Sequence, residues 1–278
     1  MKSTLVMSTP ASFNSWWGRH NVELGKNEFW QIGPFHLWIQ HLPHQWRMNW
    51  TQTSSWLDTT VRSNRGLQDA IPPSAESRTC MFNEGRDELT FAPALADRAV
   101  IAQLASPIRV LPGETVNLYT ISPLWLKVDA TLPAKTLIDV PLFRMSDTWF
   151  GPMSVTGELC YASPSPTYLE LREVPLRLHC VITAIQVKNS SASSLPIEKI
   201  NIPMQRLSLF YSTRTGFWTD TISLETTGEE AEMASIRIHQ EPPPDASPSQ
   251  FVAGPRHTGV QQGAAMVRAF SALFRDRG

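Results

Sequence analysis

The chain has 278 residues and a formal net charge of -1, so no global field favours nucleic acid or an anionic membrane. Charged residues make up only 18%, while 22 prolines and 10 tryptophans suit strands joined by irregular connections. No apolar run approaches the roughly 18 residues of a membrane span, which argues against membrane insertion.

Residues 1–24 read as an irregular lead-in that embeds Phe13, Trp16 and Trp17. The opening MKSTLVMSTPASF holds an apolar run far too short for a secretory leader. The three cysteines, Cys80, Cys160 and Cys180, fit no metal or redox spacing. Both features lead to the expectation of a cytoplasmic protein with reduced thiols.

A first β module is expected over 25–140. Phe35, Leu37 and Ile39 alternate with His36, Trp38 and Gln40, and Trp46, Met48 and Trp50 alternate with Arg47, Asn49 and Thr51. This period of two predicts a hairpin turning at Leu42-Pro43-His44-Gln45. Residues 53–79 are polar, contain Pro72-Pro73, and read as a long loop. Short strands follow at Val100 to Leu104 and Ile108 to Leu111, then around Val116 to Thr120 and Leu124 to Val128.

A second β module is expected over 141–240. Leu176 to Lys188 is largely apolar on both faces, the mark of a central strand. Ile197 to Ile202, Leu207 to Tyr211 and Phe217 to Leu224 continue the pattern. Residues 241–259, with Pro242-Pro243-Pro244, read as a linker. Over 260–278, Met266, Val267, Phe270, Leu273 and Phe274 recur at spacings of three and four, which predicts an amphipathic helix. The fold class is therefore mainly β, with antiparallel sandwich-like layers and a C-terminal amphipathic helix. One sandwich or two stacked modules both fit.

The strongest site candidate is the stretch Ser146, Asp147, Thr148, Trp149 and Phe150, taken with Glu158 and His179. Asp147 and Glu158 are candidates for a carboxylate pair, with His179 as proton shuttle and the two aromatics walling a pocket. The plainer reading makes Ser146 and Asp147 turn residues, the aromatics core anchors, and Gly151-Pro152 a corner. His36, His41 and His44 are close in sequence, but His36 and His41 have opposite strand parity, which argues against a metal site. No cofactor is expected. Cys160 and Cys180 read as inert buried thiols. Tryptophans between Trp16 and Trp56 suit either a stacking platform or the filling of space between layers. The C-terminal helix either docks on the β body or offers Met266, Val267, Phe270 and Phe274 to a partner groove.

The segment Ser146-Asp147-Thr148-Trp149-Phe150-Gly151, followed by Gly157-Glu158-Leu159-Cys160-Tyr161, resembles the central signature of the DUF432 family of prokaryotic proteins of unknown function. Ile32-Gly33-Pro34, Leu111-Pro112-Gly113-Glu114, Leu207-Ser208-Leu209, Phe217-Trp218-Thr219 and Val267-Arg268-Ala269-Phe270 agree with it. The resemblance runs from about Glu28 onward and covers most of the chain. It implies no defined chemistry, and it implies an accessory relation to a membrane channel system. The expected function is a non-catalytic binding or regulatory module with a protein partner. The alternatives are a hydrolase or carbohydrate-active enzyme using Asp147 and Glu158, and a structural subunit forming a homo-oligomer.

Overall fold

The structure is a computed structural model and describes residues 15–65, 70–82, 88–131, 134–151, 157–226, 233–257 and 265–271. Its first strands are β1 (Gly18–Asn21), β2 (Asn27–Ile32), β3 (Phe35–Leu42), β4 (Gln45–Gln52), β5 (Val61–Arg65) and β6 (Glu76–Met81). Next come β7 (Glu88–Ala94), β8 (Val100–Val110), β9 (Thr115–Pro123), β10 (Trp125–Ala130) and β11 (Lys135–Pro141). The candidate-site stretch supplies β12 (Asp147–Phe150) and β13 (Glu158–Thr167), followed by β14 (Cys180–Asn189) and β15 (Leu195–Ile202). The remaining strands are β16 (Leu209–Ser212), β17 (Gly216–Thr219), β18 (Ile222–Thr226), β19 (Met233–Ile238), β20 (Gln250–Ala253), β21 (Ala265–Arg268) and β22 (Phe270–Ser271). Among the described residues, helical turns are limited to three short 3-10 segments.

The molecule is mainly β, and its strands form four sheets, antiparallel or mixed. The first sheet has the order β5-β2-β3-β4-β6. Its centre is the expected hairpin: Phe35, Leu37, Ile39, Trp46, Met48 and Trp50 are all buried. The turn needs His44 at φ 58 after Pro43. The polar segment read as a loop instead supplies β5 and β6, the two edges of this sheet. Edge strands need backbone pairing more than apolar side chains, so their sequences look like loops. The β6 side chains are almost all exposed.

Two of the other three sheets combine strands from both sides of residue 140. The order β1-β7-β10-β11 makes a four-stranded antiparallel sheet. The order β12-β13-β8-β15-β22 makes a five-stranded sheet, with β13 and β8 parallel. The largest sheet runs β20-β16-β17-β14-β18-β19-β21, with β9 also paired to β14. As its sequence implies, β14 is central: it pairs with β9, β17 and β18. One apolar core joins all four sheets, through Ile32 and Leu37, Phe91 and Leu126, Val100 and Ile197, and Val181 and Phe217.

The expected C-terminal helix is replaced by strands. Ala265–Arg268 pairs antiparallel with β19, and Phe270–Ser271 pairs with β15. Met266 and Val267 thus lie in β21, Phe270 lies in β22 and is 1% exposed, and Phe274 lies outside the described residues. The physical reason is long-range. A short helix satisfies only its own backbone and is marginal alone, whereas β19 and β15 offer backbone groups that this segment completes. The apolar spacing that suggests a helix equally serves two short strands, and tertiary pairing overrides local preference.

Of the segment expected as a linker, the described residues 241–257 run along the β body. Gln250–Ala253 pairs with β16, and Arg256 makes a two-pronged ion pair with Asp139 at 2.6 and 2.8 Å. Its Nε also donates to the Leu95 carbonyl at 2.6 Å.

Candidate functional site

The five-stranded sheet sets the expected site on its outermost strand. β12 pairs antiparallel with β13, placing Asp147 opposite Tyr161, Thr148 opposite Cys160, Trp149 opposite Leu159 and Phe150 opposite Glu158. Gly151, at φ 98, ends the strand at the expected corner.

This register decides which side chains meet. Side chains alternate along a strand, so Asp147 and Trp149 share one face with Tyr161 and Leu159. Thr148, Phe150, Glu158 and Cys160 share the other. Asp147 and Glu158 therefore point to opposite faces and form no carboxylate pair. Each has its own partner: Asp147 binds Arg98, and Glu158 accepts a hydrogen bond from the Asn201 amide.

On the Asp147 face, Arg98 organises a charged network. Its Nη1 donates to Asp147 Oδ1 at 3.2 Å and its Nη2 donates to the Tyr161 hydroxyl at 2.7 Å. That hydroxyl donates to Asp97 Oδ1 at 3.0 Å. The guanidinium also lies 4.2 Å over the Tyr161 ring, a cation–π contact. Burial and the neighbouring Asp97 raise the Tyr161 phenol above its ordinary value. Arg98 was invisible to sequence reasoning, because 49 residues separate it from Asp147 and only the sheet register joins them.

Ser146 is exposed, and its carbonyl accepts a hydrogen bond from the Ala162 amide at 2.9 Å. Thr148 is half-buried. Phe150 packs with Ala99, Ile101 and Cys160 in a small apolar cluster. Burial, helped by the Glu158 charge, pushes the Cys160 thiol up to about 12, which removes it as a nucleophile at neutral pH. Cys80, Cys160 and Cys180 are all free thiols. Trp149 is 50% exposed and Leu159, directly across the ladder, is 48% exposed.

His179 sits elsewhere, just before β14. It is 1% exposed and packs edge-on against Trp56 at 5.3 Å, while the Arg177 guanidinium lies 5.1 Å over the same indole. Burial first, and the Arg177 charge second, lower its pKa to about 4. Gly33, at φ 56, fits beneath the imidazole: a Cβ there would lie 2.5 Å from His179 Nδ1. His179 is neutral at neutral pH and wedged, not poised beside Asp147 or Glu158.

The neighbouring histidines also separate. His36 is half-buried, His41 stacks on Trp46 at 3.9 Å and His44 lies in the turn. Among the described residues, no group of three or more His, Cys, Asp or Glu side chains is placed to hold a metal ion. Among them, too, no helix is long and apolar enough to cross a membrane.

Fold and site together define a mainly β protein whose sheets share one core and whose candidate surface lies on a sheet edge. Residues 16–275 match the family described as protein of unknown function (DUF432), and the chain belongs to that family. Comparison with curated proteins and with solved structures gives no match.

Proposed function

We propose that this protein is a non-catalytic binding module whose contact surface is the β12 edge of the five-stranded sheet. The observation that carries this reading is the exposed cross-strand pair Trp149–Leu159. Large apolar side chains side by side at a surface cost solvation free energy unless a partner covers them, and Trp dominates protein contacts when it is covered. Among the described residues the strand beneath is the outermost of its sheet, where a partner segment can extend the ladder. Arg98, held by Asp147 and Tyr161, stiffens the same face and lowers the cost of ordering it on binding.

The expected partner is a protein, and the family resemblance points to a component of a membrane channel system. Three unpaired thiols support a cytoplasmic setting. A two-carboxylate hydrolase is disfavoured, because such enzymes hold both carboxyls on the same bond, within roughly 5–10 Å of one another.

The test is co-purification of the tagged protein from its own host, as wild type and as the double variant Trp149→Ala, Leu159→Ser. The reading requires a partner that is lost in the variant while the thermal midpoint falls by no more than a few degrees. An unchanged set of partners would sink it. Recovery of the protein itself as the partner would reassign the edge to self-assembly.

A further inference from the structure

On a different sheet, a Pro-rich strap crosses the face formed by β9, β14 and β18. Between strap and sheet lies a cleft of about 310 Å³. That volume lies at the small end of the range typical for small-molecule sites. The strap is pinned at both ends. The Thr221 amide donates to the Glu241 carbonyl at 3.0 Å, and the Tyr119 hydroxyl donates to Asp245 Oδ2 at 3.2 Å. Beyond it, Ala246 is buried against Ile121, Ile182 and Trp218. Pro242, Pro243 and Pro244 leave this span few conformations to lose, so the cleft is formed in advance.

The sheet floor carries a row of polar side chains. Asn117 lies opposite Gln186, and Gln186 lies opposite Ser223 on the next strand. Neighbouring strands are about 4.8 Å apart, so the row offers regularly spaced hydrogen-bonding groups along one line. Both carboxamides line the cleft, are exposed and have no side-chain hydrogen bond among the described residues. Ser223 Oγ and His239 Nε2 are hydrogen-bonded at 2.7 Å, and the row continues through Ser223 to Arg237 on β19, which lies outside the cleft lining. Glu241 and Asp245 face the cleft from the strap, and among the described residues no Lys or Arg lines it.

We infer that this cleft binds a neutral polyhydroxylated ligand of the size of a mono- or disaccharide. Carboxamides, a hydroxyl and carboxylates together both donate and accept, which matches sugar hydroxyls that do the same. Tyr119, Ala184 and the proline rings give the apolar surface that the C–H faces of such a ligand need. Two carboxylates with no lining Lys or Arg disfavour phosphorylated or carboxylated compounds, which would meet like charge.

The experiment titrates the full chain with glucose, maltose and spermidine, by saturation-transfer NMR and calorimetry. Saturable binding of a saccharide in the millimolar range is expected. Gln186→Ala and Asn117→Ala should each weaken it by about tenfold, the value of a single lost hydrogen bond at the upper end of its range. Their thermal midpoints should stay unchanged, since both side chains are exposed; Ser223→Ala gives an independent variant if either fails to fold. Trp149→Ala should bind saccharide as the wild type does, which separates this site from the β12 edge. Absence of saccharide binding, binding unaffected by the cleft variants, or binding of spermidine alone would each overturn the inference.

Discussion

The five-stranded sheet has two edges, and they treat their aromatic residues in opposite ways. At one edge, β12 presents Trp149 at 50% exposure. At the other, β22 buries Phe270 to 1% and covers β15. Both segments drew attention as candidate contact surfaces, β12 for its carboxylate and aromatics and the C-terminal segment for an apolar stripe at helical spacing. The difference lies in what the chain itself brings to each edge. The C-terminal segment returns to close the β15 edge, so Phe270 belongs to the core. The β12 edge retains a large apolar pair at the surface. An aromatic on a strand thus announces burial or binding only after the edge it occupies is known.

The largest expected effect tests the closed edge. Phe270→Ala should cost about 3–5 kcal/mol, the usual range for truncating a fully buried Phe. Denaturant unfolding measures it. A cost below about 1 kcal/mol would mean that Phe270 is surface-exposed in solution, and the contrast between the edges would collapse.

Gly33→Ala extends the contrast to His179, a buried residue that sequence reasoning grouped with the exposed β12. The substitution forces Ala into a left-handed conformation and drives its Cβ to 2.5 Å from His179 Nδ1. Strain of about 1 kcal/mol plus overpacking of about 1–3 kcal/mol predicts a loss of roughly 2–4 kcal/mol. A thermal midpoint equal to that of the wild type would show that the imidazole is not wedged there.

Acid titration sharpens the same point. His179 has a folded pKa of about 4 against an ordinary 6.5, so the folded state takes up its proton less readily than the unfolded chain. The contribution to stability is complete above pH 6.5 and is lost progressively as pH falls from 6.5 towards 4. At 1.36 kcal/mol per pH unit it amounts to roughly 3 kcal/mol. Desolvation lowers His36 as well, and adds in the same direction. Asp58 contributes at lower pH: hydrogen bonds from Thr60 and Gln31 outweigh its own desolvation and depress its pKa below 3.8. Unfolding of His179→Gln should show a shallower loss between pH 6.5 and 4. An identical pH profile for variant and wild type would remove His179 as the cause.

How much of this was legible in the sequence follows from the range of the interactions. The β3–β4 hairpin could be read because its pairing is local and its buried residues alternate, with Leu37 opposite Trp50 and Ile39 opposite Met48 across one short turn. The central place of β14 could be read because both its faces are apolar over most of its length. β5 and β6 could not, since edge strands with polar side chains carry no period. The C-terminal strands were read as a helix because their partners lie far away: Met233 for Arg268, and Lys199 for Ser271. For the candidate site, the residues Asp147 to Phe150 and their corner at Gly151 were visible, but their partners were not. Nothing near Asp147 in sequence announces Arg98, and only the register shows that Glu158 faces away. The cleft beneath Pro242-Pro243-Pro244 was hidden for the same reason: a proline run reads as a linker until its docking is known.

The smallest expected effect lies at the open edge. Trp149→Ala removes a half-exposed side chain whose backbone pairing with Leu159 is untouched. Surface substitutions of this kind change stability by about 0.5 kcal/mol or less, and partial burial of the indole raises the expectation to no more than about 1 kcal/mol. The binding effect should be the reverse of the stability effect: a residue worth little to the fold should be worth much to the complex. Phe270→Ala should show the opposite ratio, with loss of partner binding only in proportion to unfolding. Measuring both variants for unfolding and for co-purification gives four values. If Trp149→Ala destabilises the fold as much as Phe270→Ala does, the indole is a core residue and the β12 edge is closed within the chain. If it leaves the fold intact and abolishes co-purification, the edge that is outermost among the described residues is the edge that the partner covers.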